Sequence, residues 1–294
     1  MTDPVDRLRY TAPWQRPRHA LPGGRRLILW PVVNVERWSI ANPMPRQALV
    51  APTGAALQPD LPNWAWHEYG MRVGFWRFLE VFTRLGLRPT LSINASVIAA
   101  YPEVARAARD AGWEFMGHGW LQVPTHRVGD EAGMIARTVA EIASFTGRRC
   151  TGWLGPGLTE TLETPDLLAA AGIEWTGDFV VDDLPARIAT AHGSILALPY
   201  SVEVNDVPVV AIQHGDETAL PRRARLQAAR LITEAEATDS VKAMCIAIHP
   251  YLSGVAHRIA ALEALLAEFA ADPRIAIMQG DDIARWYLES GDPA

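Results

Sequence analysis

Hydrophobic and polar positions alternate along this chain in two rhythms. Apolar runs rich in β-branched residues occur at 27–35 (LILWPVVNV), 89–95 (PTLSINA), 113–118 (WEFMGH), 150–155 (CTGWLG), 174–178 (EWTGD), 244–250 (MCIAIHP) and 275–279 (IAIMQ). Such runs predict strands buried on both faces. The stretches between them keep a helical period: Ile135, Val139 and Ile142 share one face, as do Ile259, Leu262, Leu266 and Phe269. Gly112, Gly147 and Gly172 stand just before strands, where a helix-ending glycine belongs. Strands alternating with helices predict an α/β fold of parallel strands joined by helical crossovers.

Two segments break this rhythm. Residues 38–68 are rich in Pro, Trp and Asn and too long for a plain connection; residues 179–216 hold DDLP, LPYS and VEVND among extra strand-like runs. No repeat or Gly/Ser linker divides the chain, so the expected organisation is an N-terminal arm, 1–25, and a single domain, 26–294. At 294 residues, 49% hydrophobic and 20% charged, one large core is affordable. A net charge of -6 without a long basic run excludes nucleic acid as the expected partner. Cys150 and Cys245 lie in apolar runs and read as buried thiols of a reducing compartment. The first 25 residues carry no apolar signal segment, and no apolar run is long enough to span a bilayer; a soluble, cytoplasmic protein with no membrane partner is expected.

In a parallel barrel, reacting groups gather where strands end. Asn34 and Glu36, His118, Asp178 and His249 all fall at such ends. Glu36 can ligate a metal or act as a general base if burial raises its pKa, or it can simply pair with Arg37. His118, between two glycines in MGHGWLQVPTH, suits metal ligation or proton transfer, or a satisfied core position. Gln122 and His126 follow at steps of four, although Pro124 argues for a loop there. His249 can serve as general acid to a leaving nitrogen or anchor its loop. GWLGPG, 152–157, offers backbone N–H groups to an oxyanion, and among Asp178, Asp182 and Asp183 one can orient a histidine or cap a turn. Arg72 is read as a substrate clamp or as a partner of Glu68, and Trp38, Trp64, Trp66, Trp120 and Trp153 as walls of a planar pocket or as packing. No P-loop, dinucleotide fingerprint, HExxH or CxxC occurs, so no nucleotide cofactor is expected.

YGMRVGFWRFLEV (69–81), GHGW, TGWLGPGLTETLETPDLLAAAGIEWTGDFVVDDLP, LPYSVEVND and AIHPYLSG together resemble the polysaccharide deacetylase (NodB-homology) superfamily from Leu27 to about Trp286. Within it they are similar to the branch of cofactor-independent allantoinases and cyclic imide hydrolases. The resemblance implies a distorted (β/α) barrel of about seven parallel strands that hydrolyses a non-peptide C–N bond, and in this branch a small cyclic amide or imide. Alternatives are N-deacetylation of a polysaccharide or chitooligosaccharide, and an inactive binding homologue. The implied catalytic residues are Glu36, His118, His249 and Asp178; Arg72, Trp120, Trp153, Gly155, Pro156 and Asn205 are implied to contact substrate. Metal-dependent members use an Asp on the first strand and two histidines four apart. Those places fall on Glu36 (or Asn34), His118 and Gln122, a set with one neutral amide, so a zinc-like divalent metal is expected to be weakly held or not held, with Glu36 or His126 as substitute ligands. A small-molecule substrate and a homo-oligomer complete the expectation.

Overall fold

The computed structural model describes residues 3–45, 48–52, 54 and 58–291. Its strands are β1 (Leu27–Val35), β2 (Thr90–Ile93), β3 (Glu114–Gly117), β4 (Gly152–Trp153), β5 (Trp175–Thr176), β6 (Ala186–Thr190), β7 (Gly193–Ala197), β8 (Lys242–Ile248) and β9 (Ile275–Ile277). They form one sheet in the order β6-β7-β5-β4-β3-β2-β1-β8, with β9 also on β1. Every pairing is parallel except β6 with β7. All seven expected strands are present, and the extra runs within 179–216 form the β6–β7 hairpin. The three expected helix-ending glycines adopt positive φ, 73° at Gly112, 68° at Gly147 and 82° at Gly172.

Alternation along β1 builds two cores. Leu27, Leu29, Val33 and Val35 pack into the large cluster beneath the helices, whereas Ile28, Trp30 and Val32 join Met116, Trp175, Leu196 and Cys245. The second set is drawn from strands all around the sheet, and therefore fills the interior of a curled sheet. Trp30 and Trp175 meet there edge to face, with centroids 5.6 Å apart.

The barrel is distorted at its seam. Among the described residues no ladder joins β8 to β6; the segment 183–205 closes that edge instead. Ala243 N donates to Asp183 O (2.8 Å), Cys245 N donates to Ser201 Oγ (3.0 Å), and Asn205 makes a lone parallel bridge to Ala247. These contacts satisfy the β8 edge that an open sheet would leave exposed.

The arm packs on its own barrel. Arg7 is buried and pairs with Asp166 at 2.6 Å, Leu8 bridges to Ile188, and Leu21 enters the inner core. Cys150 and Cys245 are buried, unbridged thiols. No helix among the described residues is long and apolar enough to cross a membrane.

Candidate active site

β1, which pairs with β2, β8 and β9, delivers Glu36 just past its carboxyl end, where β2, β3 and β8 deliver Asn94, His118 and His249. Four groups meet the Glu36 carboxylate. On Oε1, Gln122 Nε2 donates at 2.9 Å, and His249 Nε2 and His118 Nε2 face it at 3.4 and 3.7 Å. On Oε2, the Trp38 indole donates at 3.0 Å. The Glu36 side chain is 6% exposed, so the carboxylate interacts with these groups in a nearly dry environment.

Each imidazole is fixed from behind. His249 Nδ1 lies 2.6 Å from Asp206 Oδ1, while the other oxygen of Asp206 accepts from His249 N and Ser253 Oγ, both at 2.7 Å. His118 Nδ1 donates to Leu154 O at 2.6 Å, which leaves Nε2 turned to the centre; that atom is buried without a hydrogen-bond partner. Gly119, at φ 68°, lets the chain turn straight after His118.

The charges interlock. Burial would lower His249, but the carboxylates of Asp206 and Glu36 more than offset it and carry the imidazole up to about 9. Burial alone would raise Glu36; the His249 and His118 imidazoles outweigh that and hold the carboxyl well below its usual range. The expectation of a base raised by burial is therefore corrected. Glu36 and His249 rest as a carboxylate and an imidazolium.

Gln122 does not stand in for a metal-ligating histidine. Asn94 Oδ1 accepts from Arg37 N (2.8 Å), and Asn94 Nδ2 donates to His118 O and, at 3.1 Å, to Gln122 Oε1. These backbone partners fix the orientation of Asn94, and through it that of Gln122, so the amide gives Glu36 its N–H and keeps its oxygen away. His126 is exposed in the turn Thr125–Arg127, beside a separate cavity of about 490 Å³, and joins no ligand set. Among the described residues no group of three or more His, Cys, Asp or Glu is arranged to hold a metal ion. The expected set Glu36, His118 and Gln122 does not fit a metal, because the amide offers it an N–H and not a lone pair.

Several expected contacts lie elsewhere. The Gly155 N–H is already given to both oxygens of Asp178, each at 2.8 Å, so it is not an oxyanion donor in this arrangement. Asp178 also accepts from Thr176 Oγ1 at 3.0 Å, and holds the peptide whose Leu154 carbonyl accepts from His118 Nδ1. Beside it, Glu160 has no donor on either oxygen, and burial, the Asp178 charge and a hydrogen bond to Asp178 that only the protonated form can give push its carboxyl up to about 11. Trp153 is fully buried in the outer core, and Pro156 is buried against Gly119. Arg72, with its side chain 77% exposed, faces Glu68 at 3.9 Å, and Trp120 lies under the Arg137 guanidinium. Asn205 caps Val207 N at 2.8 Å and so sets the turn that presents Asp206. Asp182 pairs with Arg16.

Sequence reasoning missed Asp206, the true partner of His249, along with Asn94, Tyr200 and His67. Asp206 was visible only as the last letter of VEVND, with no spacing that ties it to His249. Tyr200 OH accepts from Asn34 Nδ2 at 2.9 Å. Asn34, Glu36, Trp38, His67, Met71 and Tyr251 enclose a cavity of about 10 Å³, room for one water and no more.

No protein-family model matches the chain, and no curated protein matches it in sequence. Solved structures do match it in fold. One described as a "probable Polysaccharide deacetylase from Pseudomonas aeruginosa PAO1" superposes with a TM-score of 0.85 at 24% identity, covering 95% of this chain and 96% of that one. Puue allantoinase superposes at 0.84 with 23% identity, covering 95% of each chain. A CE4-family pseudoenzyme from Bacillus anthracis superposes at 0.51 with 11% identity, over 88% of this chain and 66% of that one. A fold that carries a deacetylase, an allantoinase and a pseudoenzyme leaves activity to be argued from side chains.

Proposed function

We propose that this chain, built on the fold of polysaccharide deacetylases and of Puue allantoinase, is a hydrolase of carbon–nitrogen bonds other than peptide bonds, and that it opens a small cyclic amide or imide such as a hydantoin-like or succinimide-like ring. The observation that carries this reading is the buried Glu36–His249–Asp206 array, with a water-sized cavity against the carboxylate.

In this mechanism a water beside Glu36 attacks the ring carbonyl and passes a proton to the carboxylate. His249, held protonated, gives its proton to the departing nitrogen. The two transfers assist one another. As the imidazolium loses its charge, the group that depressed Glu36 disappears and the carboxylate becomes a better base. Asp206 keeps the imidazole oriented throughout, and His118 Nε2, the buried nitrogen opposite an Nδ1 that donates to Leu154 O, is left to accept from the water. The enclosure by Trp38, His67, Met71 and Tyr251 favours a small planar substrate over a sugar polymer, which needs an open groove.

The test is hydrolysis of hydantoin, allantoin, succinimide, dihydrouracil and a chitooligosaccharide by protein of known metal content. Ring opening without polymer deacetylation supports the reading. Deacetylation alone, or no turnover of any of the five, overturns it.

A further inference from the structure

Trp38 covers the reacting carboxylate with a planar ring that carries one N–H. Its indole donates to Glu36 Oε2 at 3.0 Å, while Oε1 is already taken by Gln122 and faced by both imidazoles. Oε1, between the two imidazoles, keeps a lone pair for the water, and Oε2 is the oxygen whose one donor a ring N–H can replace. Displacement is also required sterically, because the cavity over Glu36 has about 10 Å³ and admits a water but no ring.

The enclosing groups are unequal. On the inner side, His67 Nδ1 bonds Asn63 O at 2.7 Å, and Tyr251 stacks on His67 at 4.3 Å and meets Trp66 at 5.1 Å. These side chains belong to the helix Leu61–Tyr69 and to the buried loop after β8. Trp38 is half-buried, three residues past the end of β1, and its backbone carbonyl accepts from Trp64 Nε1 at 3.1 Å. Among the residues lining the cavity Trp38 alone is not buried, so it is the group whose displacement costs least, at the loss of its ring contact with His67, 4.9 Å between centroids.

We infer that the Trp38 indole holds the place of the substrate's own ring N–H. The substrates are planar rings with an unsubstituted N–H that bonds Glu36 Oε2 after Trp38 swings aside, and Trp38 selects them by exchange of one N–H for another. This rests on the hydrolase reading above and narrows its substrate class. A ring methylated at that nitrogen cannot donate, and leaves a buried carboxylate oxygen without its partner.

The experiment compares full-length wild type and Trp38→Phe on hydantoin, its 1-methyl and 3-methyl forms, succinimide and N-methylsuccinimide, by steady-state kinetics and by tryptophan emission on ring binding. For wild type, methylation at the recognised nitrogen should lower kcat/KM about tenfold or more through KM, the scale of one lost hydrogen bond to a charged group. Trp38→Phe, which removes the competing N–H and keeps a flat cover, should lower KM for the parent ring roughly threefold or more. Equal kcat/KM for every methylated ring and its parent overturns the inference while leaving the hydrolase reading intact, and so does an unchanged or raised KM in Trp38→Phe. If no ring is opened but parent rings perturb wild-type emission and methylated rings do not, the hydrolase reading falls and the recognition by Oε2 stands. Should Trp38→Phe fail to fold, the methylation series on wild type decides alone.

Discussion

His249 Nε2 faces Glu36 Oε1 at 3.4 Å while its other ring nitrogen lies 2.6 Å from Asp206 Oδ1, so one imidazolium is shared between two buried carboxylates. Removing either carboxylate therefore alters the acid as well as itself. Glu36→Gln should abolish water activation and lower turnover by about 10² to 10⁴-fold, the usual worth of general acid–base catalysis. The variant should still fold, with near-native circular dichroism, because Gln can keep the Trp38 bond. Turnover within threefold of wild type would remove Glu36 from the mechanism.

The pH profile follows from the same pair. His249 rises from 6.5 to about 9 in the fold, so its proton and its stabilisation are fully present below pH 6.5 and are lost as pH climbs through about 9. Glu36 is depressed, so its contribution is present above the ordinary carboxylate range and is lost only in stronger acid. Expected is a kcat/KM plateau across neutral pH with an alkaline limb near 9. Asp206→Asn should move that limb to lower pH, as measured by kcat/KM against pH; an unmoved limb would assign it to another group.

Because Gln122 turns its N–H to Glu36, turnover should survive prolonged chelation within about twofold, checked by elemental analysis alongside kinetics. Gln122→Leu should instead cost about tenfold or more, since it strips a buried carboxylate of one donor without touching any metal. Activity that vanishes on chelation and returns with added zinc would contradict the arrangement described.

Asp178 acts at a distance through the 154–155 peptide. Asp178→Ala frees the Gly155 N–H and leaves Glu160 without its acceptor, and should destabilise the fold by about 1–3 kcal/mol in denaturant melts. Glu160→Gln retains a neutral donor and should be nearly silent, whereas Glu160→Asp should not. Equal effects of Gln and Asp at position 160 would argue against a shared proton.

Gly74, the residue before the helix Phe75–Arg84, packs its backbone directly on Pro250, the neighbour of His249. A Cβ there would lie 2.0 Å from Pro250 O, in the loop that begins with His249. Gly74→Ala should therefore cost about 1–3 kcal/mol and lower turnover as well, since the strain falls on the acid's own loop.

Much of this was legible in the sequence. Apolar runs located every parallel strand of β1–β5, β8 and β9, and the rule that strand ends carry chemistry singled out Glu36, His118 and His249, which the fold brings together. Periodicity could not reveal how short β4 and β5 are, because the side chains of Asp178 and Thr176 accept from the backbone N–H groups of Gly155 and Asp178 just past those strands. Nor could it assign Asp206 or Asn94: both act on neighbours that only the closed barrel brings close, 43 residues away for His249 and 28 for Gln122. The amide at position 122 was read as a weakened ligand because sequence conveys residue type and not which end of a side chain faces inward.

The seam of the barrel has a consequence for how the protein ages under heat. The segment that laces β8 shut with one hydroxyl, one lone bridge and one carbonyl ends at Asn205, the residue beside Asp206. Fewer bonds secure that edge than the three ladders on β1, so it is the natural place for the first partial opening. Opening there parts the acid from its orienting carboxylate while the rest of the sheet is still assembled. Heat should silence this protein several degrees before it melts, and brief cooling should bring it back.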